Sequence, residues 1–352
     1  MDIYYIFTIL PFMVCMIWSV IYLLEYGKAS QDKRILAGFA VLSAVLYFTH
    51  AVHFSGSGHL SVVDCIWLLC SLSSYPVVCL YIRQLTRGHV TVWSFVCALS
   101  LALIVSAWAW IVFFLDKNVE PVFRVAKFVF LFEVVVAAMI GFHDLNAFRR
   151  KVDNAYADTE DKRLNPVVIL LVLFVVASVA SSVADIIGRD SFRGSLLLAI
   201  PSVLFSSLLF AVFYIGQRVD FSIRNYEEEV GPESKVEQMP EESAKDELMK
   251  RIDTIMAESR MYLQPGLKIT DVSGALCSNR TYVSNTINSV TGMTFNEYIN
   301  RLRIDHAVKL FNESPDLCCI ECAERCGFTS KSTFFRVFKE YTGRTPSSWR
   351  TS

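Results

Sequence analysis

The sequence predicts an all-α chain in two parts. Residues 1–217 form a bundle of seven membrane-spanning helices, and residues 246–352 form a smaller domain in which one long helix joins two helix-turn-helix units. An acidic linker, 218–245, separates the two. Three observations support this division. Seven apolar runs of about twenty residues precede residue 217, each long enough to cross roughly 30 Å of hydrocarbon. The chain is 53% hydrophobic with a mean hydropathy of +0.41, too apolar for an ordinary soluble protein, and almost all of the excess lies before residue 217. From about residue 243 the pattern changes to short amphipathic helices broken by polar turns, and this pattern occurs twice.

The predicted spans are about 3–24, 35–55, 61–82, 91–115, 121–142, 166–188 and 195–216. Pro76 and Pro201 fall inside spans, where a membrane helix tolerates a bend. The start, Met1-Asp2-Ile3-Tyr4-Tyr5, has no basic residue ahead of its apolar run, so a cleaved signal peptide is not expected. Basic residues set the orientation. One set of loops holds Lys28, Lys33, Arg34, Arg83, Arg87, Arg149, Arg150, Lys151, Lys162, Arg163, Arg218 and Arg224; the other holds Lys117, Arg189 and Arg193. The expectation is a multi-pass protein of the bacterial inner membrane, with its N-terminus outside and residues after 217 in the cytoplasm.

The outer loops, 56–60, 116–120 and 189–194, are too short for an extracellular domain. A signal must therefore reach the helices themselves or be a membrane partner. His50, His53, Asp64, Arg124, Lys127 and Asp185 all fall in the outer third of the predicted bundle, and Glu133 lies near mid-membrane. Charged groups in spans face the bundle interior or a water-filled cavity. Two readings stay open. Asp64 and Asp185 pair with Arg124 and Lys127 as structural ion pairs, or the six residues line an outward-facing pocket for a small polar or anionic ligand. A proton or ion path is a third use. Ser55-Gly56-Ser57-Gly58-His59 resembles a nucleophile loop only superficially, since Gly and Ser belong in a tight turn. No HExxH, phosphate loop or paired catalytic acids occur, so the expectation is no enzyme, no metal and no cofactor.

Residues 226–247 are acidic, contain Pro232 and Pro240, and lack hydrophobic periodicity. They read as an exposed, poorly ordered tether. Helical spacing returns with Leu248, Ile252, Ile255 and Met256, after Ser243 and Asp246 in the pattern of a capping box. A short helix over 269–276 and a turn at Cys277-Ser278-Asn279 lead to a helix starting at Arg280 with Asn279 as its cap. Thr294 and Glu297 form a second capping box, opening a long helix to about Phe311. The motif then repeats: a helix over 319–325, a turn at Gly327-Phe328-Thr329, a helix over 331–341 capped by Ser330, and a last short helix begun by Pro346. Helix, brief turn, helix is the shape that places its second member in a DNA major groove. Residues 260–352 carry twelve Lys and Arg against eight Asp and Glu, a modest basic surplus.

Gly292-Met293-Thr294-Phe295-Asn296-Glu297-Tyr298-Ile299, followed by Arg303-Ile304 and Ala307, resembles the centre of the AraC/XylS family DNA-binding domain. Cys326-Gly327-Phe328-Thr329-Ser330-Lys331-Ser332-Thr333-Phe334-Phe335-Arg336-Val337-Phe338-Lys339, then Gly343, Thr345-Pro346 and Trp349-Arg350, resembles that family's C-terminal signature. The resemblance covers about 250–351 and none of the membrane part. It implies two helix-turn-helix units reading successive major-groove faces. Arg280, Thr281, Ser284 and Asn285 would lie on the first reading surface. Lys331, Ser332, Phe335, Arg336 and Lys339 would lie on the second, touching bases or backbone. Phe334 and Phe338, four apart, belong to the core. Partners implied are double-stranded DNA, the lipid bilayer, RNA polymerase, a second copy of the chain, and a small-molecule or membrane-protein signal.

The ten cysteines are scattered, and a disulfide framework is not expected in a reducing cytoplasm. Cys318, Cys319, Cys322 and Cys326 admit a metal or redox site by spacing, but buried Cys behaves as a small hydrophobe and core packing is the simpler reading. The whole chain reads as a one-component regulator whose membrane part controls its DNA-binding part. The alternative is a transporter or channel with a regulatory DNA-binding tail, which needs a continuous polar path that Glu133 alone does not supply.

Overall fold

The computed structural model describes residues 3–54, 62–115, 117–187, 199–219, 221–231, 242–314 and 316–350. It divides into two compact units: 1–146 with 164–222, and 147–163 with 223–352. The boundary differs from the predicted one in a way that matters. A stretch expected to be only an inner loop of the membrane part, 147–163, belongs to the carboxy-terminal unit.

The first unit contains α1 (Ile3–Glu25), α2 (Gln31–Phe54), α3 (Val62–Arg87), α4 (Val92–Phe114), most of α5 (Glu120–Asp153), α6 (Asn165–Ile187) and α7 (Ala199–Arg218). α1 packs on α2 and α7, α2 on α3, α3 on α4, and α6 on α7. Trp18 and Tyr22 of α1 meet the rings of Phe210 and Phe213, and the Tyr22 hydroxyl donates to the Phe213 carbonyl at 2.8 Å. Tyr75 of α3 lies between Phe130 and Phe174, joining α3, α5 and α6. Asp144 is buried and paired with Arg87.

Six described helices are long and apolar enough to cross a membrane, against the seven expected. α1, with 23 residues, is about 35 Å long, and its stretch Ile9–Glu25 is a further apolar helix among the described residues. By contrast α5, with 34 residues, is about 50 Å long and outlasts its predicted span by several turns.

The second unit adds α8 (Ile223–Val230), α9 (Glu242–Ser259), a 3-10 turn (Met261–Leu263), α10 (Ile269–Ala275), α11 (Arg280–Thr291), α12 (Phe295–Glu313), α13 (Cys319–Arg325), α14 (Lys331–Thr342) and α15 (Pro346–Arg350). Three of the predicted caps form, whereas Ser243, expected to cap the first helix of this unit, lies inside α9. Asn279 accepts from the Thr281 amide at 2.8 Å, Thr294 and Glu297 complete a reciprocal box, and Ser330 accepts from the Thr333 amide. Caps of this kind are each worth about 1 kcal/mol.

The tether reading of 226–247 is corrected at both ends. Residues 223–230 are helical with Ile223 and Val230 buried, and α9 already begins at Glu242. The acidity that suggested solvation is compensated from elsewhere in the unit, because Glu229 meets Lys268 at 2.8 Å and Lys162 at 3.5 Å. Residues 232–241, with both prolines, lie outside the described residues.

The core beneath α12, α13 and α14 is built from Phe311, Phe328, Phe334 and Phe338, with Cys319, Cys322 and Cys326 among them. Those three thiols are buried as small hydrophobes, whereas Cys318 is exposed.

Candidate nucleic-acid interface

Two helix-turn-helix pairs, α10–α11 and α13–α14, flank α12. Their turns follow from sequence. Gly327 has φ +80°, a left-handed conformation that L side chains rarely adopt. It also sits where an added Cβ would stand 2.6 Å from the carbonyl carbon of Leu263.

On α14, Thr333, Phe334, Val337 and Phe338 face inward, and Lys331, Ser332, Arg336 and Lys339 are exposed. The structure therefore presents four of the five predicted second-helix residues to solvent on one element. Phe335 is half-buried: it packs against Phe334, and the Lys331 ammonium lies 5.7 Å from its ring centre. Arg336 Nη1 lies 3.3 Å from Glu340 one turn on, with both side chains more than half exposed. An exposed pair of this kind is worth only about 0–1 kcal/mol, so it yields readily to a phosphate or a guanine edge.

On α11, Val283, Thr286 and Ile287 are buried. Thr281, Ser284 and Asn285 are half-buried rather than free, and Asn288 donates to the Ser284 carbonyl at 2.9 Å. Arg280 is committed elsewhere, since its Nη2 donates to the Gly231 carbonyl at 2.8 Å.

Arg303 is the side chain whose role the motif did not reveal. It is fully buried, yet each nitrogen of its guanidinium donates a hydrogen bond. Nε donates to the Tyr262 carbonyl at 2.7 Å, Nη2 to the Gln264 carbonyl at 2.8 Å, and Nη1 to Asp158 at 3.0 Å. The Phe328 ring lies 5.3 Å from its central carbon. One planar cation thus fastens the 3-10 turn, α12 and the 147–163 segment together. Glu160 is the second residue not anticipated. Hydrogen bonds from Ser330 and Thr333 hold its carboxyl below the usual range, assisted by Arg336 and Arg163.

The six residues of the predicted membrane cluster are placed unequally. Asp64 is buried and lies 3.3 Å from His53 Nδ1, on α3 and α2 respectively. His50 packs edge-on to Tyr47. Arg124 and Lys127 are exposed on α5, and the side chain of Asp185 lies outside the described residues. The turn at 55–59, Arg189 and Arg193 lie outside them as well. Glu133 is buried, with no hydrogen-bond partner for either oxygen among the described residues.

Comparisons with known proteins concern the carboxy-terminal unit. A family model described as a helix-turn-helix domain matches residues 259–352. The chain is 42% identical over 74 residues to the HTH-type transcriptional activator RhaR of Salmonella arizonae, covering 21% of this chain and 26% of that protein. The same identity and coverage hold for the RhaR proteins of Salmonella paratyphi B and Salmonella newport. The chain thus spans about a quarter of the length of these curated relatives. A solved structure of a Listeria innocua protein of unknown function is 24% identical over 30% of this chain and 94% of its own, with a TM-score of 0.26.

Proposed function

We propose, from the premise that the carboxy-terminal region is an AraC-type DNA-binding regulator domain, that the whole chain is a membrane-embedded one-component transcription regulator. The observation that carries this reading is the joining of two kinds of helix in one polypeptide: six helices apolar enough for a bilayer, and α14 with an exposed row of Lys331, Ser332, Arg336 and Lys339. The bilayer holds the first unit, the N-terminus faces outward, and the DNA-binding unit lies in the cytoplasm. A signal at the helices alters access of the head to promoter DNA, where RNA polymerase and a second copy of the chain are its partners. Such a signal acts only if it binds the two states of the protein with different affinity.

Two experiments test this. Genomic DNA bound by the chain is mapped in its native cell, and the recovered sites are titrated with wild type and Arg336→Ala. Loss of a good bidentate base contact is expected to weaken specific binding by about 1–3 kcal/mol and relax preference at one base pair. Unchanged affinity and preference would remove Arg336 from the reading surface. For topology, reporters fused after residue 217 are expected to be active only in their cytoplasmic form. A periplasmic signal there would overturn the orientation and the regulatory reading together, because the head could not reach the chromosome.

A further inference from the structure

The segment 147–163 is continuous at both ends with the first unit, through α5 and α6, yet it is built into the DNA-binding unit. Its backbone pairs with the strand-like stretch before α10. The Ala157 amide donates to the Leu267 carbonyl and the Ile269 amide to the Ala155 carbonyl, each at 2.9 Å, on either side of the antiparallel bridge Tyr156–Lys268. Asp158 holds Arg303 and also accepts from the Gly266 amide at 2.9 Å. Ala155, Tyr156, Ala157 and Thr159 are buried. This is a docked element rather than a loose loop, which would run over the surface.

Its two polar tips touch both reading helices. Asn154 accepts from Asn288 of α11 at 3.3 Å. Asn288 shares a helix face with Thr281 and Ser284, seven and four residues earlier. Glu160 accepts from Thr333 and Ser330 at the start of α14, close enough to Arg336 to feel its charge. From 153 to 161 the chain carries Asp153, Asp158, Glu160 and Asp161 and no Lys or Arg. Hydroxyls of Ser and Thr position DNA phosphates, and here a carboxylate already occupies two of them at a helix start.

We propose that residues 153–161 are a built-in competitor of DNA, docked on Asn288 of α11 and on Ser330 and Thr333 at the start of α14, with Glu160 in the place of a backbone phosphate. Duplex binding requires this segment to leave. Because the segment is spliced between α5 and α6, any change at the ends of those helices pulls directly on the competitor. The proposal rests on the DNA-binding reading above and adds the element that controls it.

The test uses the full chain in lipid nanodiscs and a fluorescent mixed-sequence duplex of about 30 base pairs, titrated by anisotropy at fixed, low salt, because phosphate contacts weaken steeply with salt. Glu160→Gln keeps the shape and removes the charge. It is expected to tighten binding about three- to fivefold, whereas Glu227→Gln, which neutralises an exposed carboxylate on α8, leaves binding unchanged. Wild type that binds and a Glu160→Gln variant that binds no more tightly would overturn the competitor and spare the DNA-binding reading. Failure of both to bind any duplex would overturn both. Hydrogen exchange on the unmutated chain gives an independent readout. Peptides covering 153–161 should lose protection when duplex is added, and full protection in the DNA-bound chain would sink the proposal.

Discussion

Replacing Arg303 with Met is expected to lower the stability of the carboxy-terminal unit by about 3–5 kcal/mol, the range typical of breaking one side of a buried ion pair. The cost is not simply the lost attraction to Asp158. Two backbone carbonyls, of Tyr262 and Gln264, lose their donor in the same step. Each acceptor left dry costs about 1–3 kcal/mol. Arg303→Lys separates charge from shape. A lysine keeps the cation but cannot present three donors in one plane, so it should recover only a minor part of the loss. Hydrogen exchange of peptides from α12 and α14 against denaturant reports this unit specifically, because most tryptophans of the chain lie in the other. Equal midpoints for wild type and Arg303→Met would mean the guanidinium is dispensable.

Gly327→Ala is expected to damage the second helix-turn-helix by roughly 2–5 kcal/mol. Two penalties add. A left-handed φ costs an alanine about 1–2 kcal/mol, and the new methyl would overlap the Leu263 backbone, which cannot rotate out of the way as a side chain could. Gly292→Ala is the internal control. It shares the left-handed φ, at +70°, but an added Cβ there meets nothing within 4 Å. The difference between the two variants isolates the steric term. Matching losses in thermal melts would show that the approach of Leu263 to Gly327 is relaxed at little cost.

Much of the carboxy-terminal unit was legible because its determinants are local. A cap and its partner lie within three residues, as with Asn279, Thr294 and Ser330, and the Phe334–Phe338 pair spans one helical turn. The exposed side of α14 follows from the same period. What sequence reading missed acts over long separations. Arg303 stood out only as one letter of a motif, since its carboxylate partner is 145 residues away. In 149–163 the basic residues are a local signal, whereas the acids between them act through partners far along the chain, Arg303 for Asp158 and Thr333 for Glu160. In the first unit, long apolar helices could be read from length and composition, but their pairing could not. Which helix face meets which is a tertiary fact, and Asp64 meeting His53 is its outcome.

The discontinuity of the carboxy-terminal unit also orders its biogenesis. Asp158 leaves the ribosome 145 residues before Arg303. At roughly 5–20 residues per second, that is a wait of about 7–30 s. During it, α6 and α7 are synthesised while the acidic segment has no head to dock on. The DNA-binding unit is therefore completed last, on a piece of protein already in place. A gene fragment that starts near residue 243 encodes every helix-turn-helix element and still omits the counter-ion of a fully buried cation in the head.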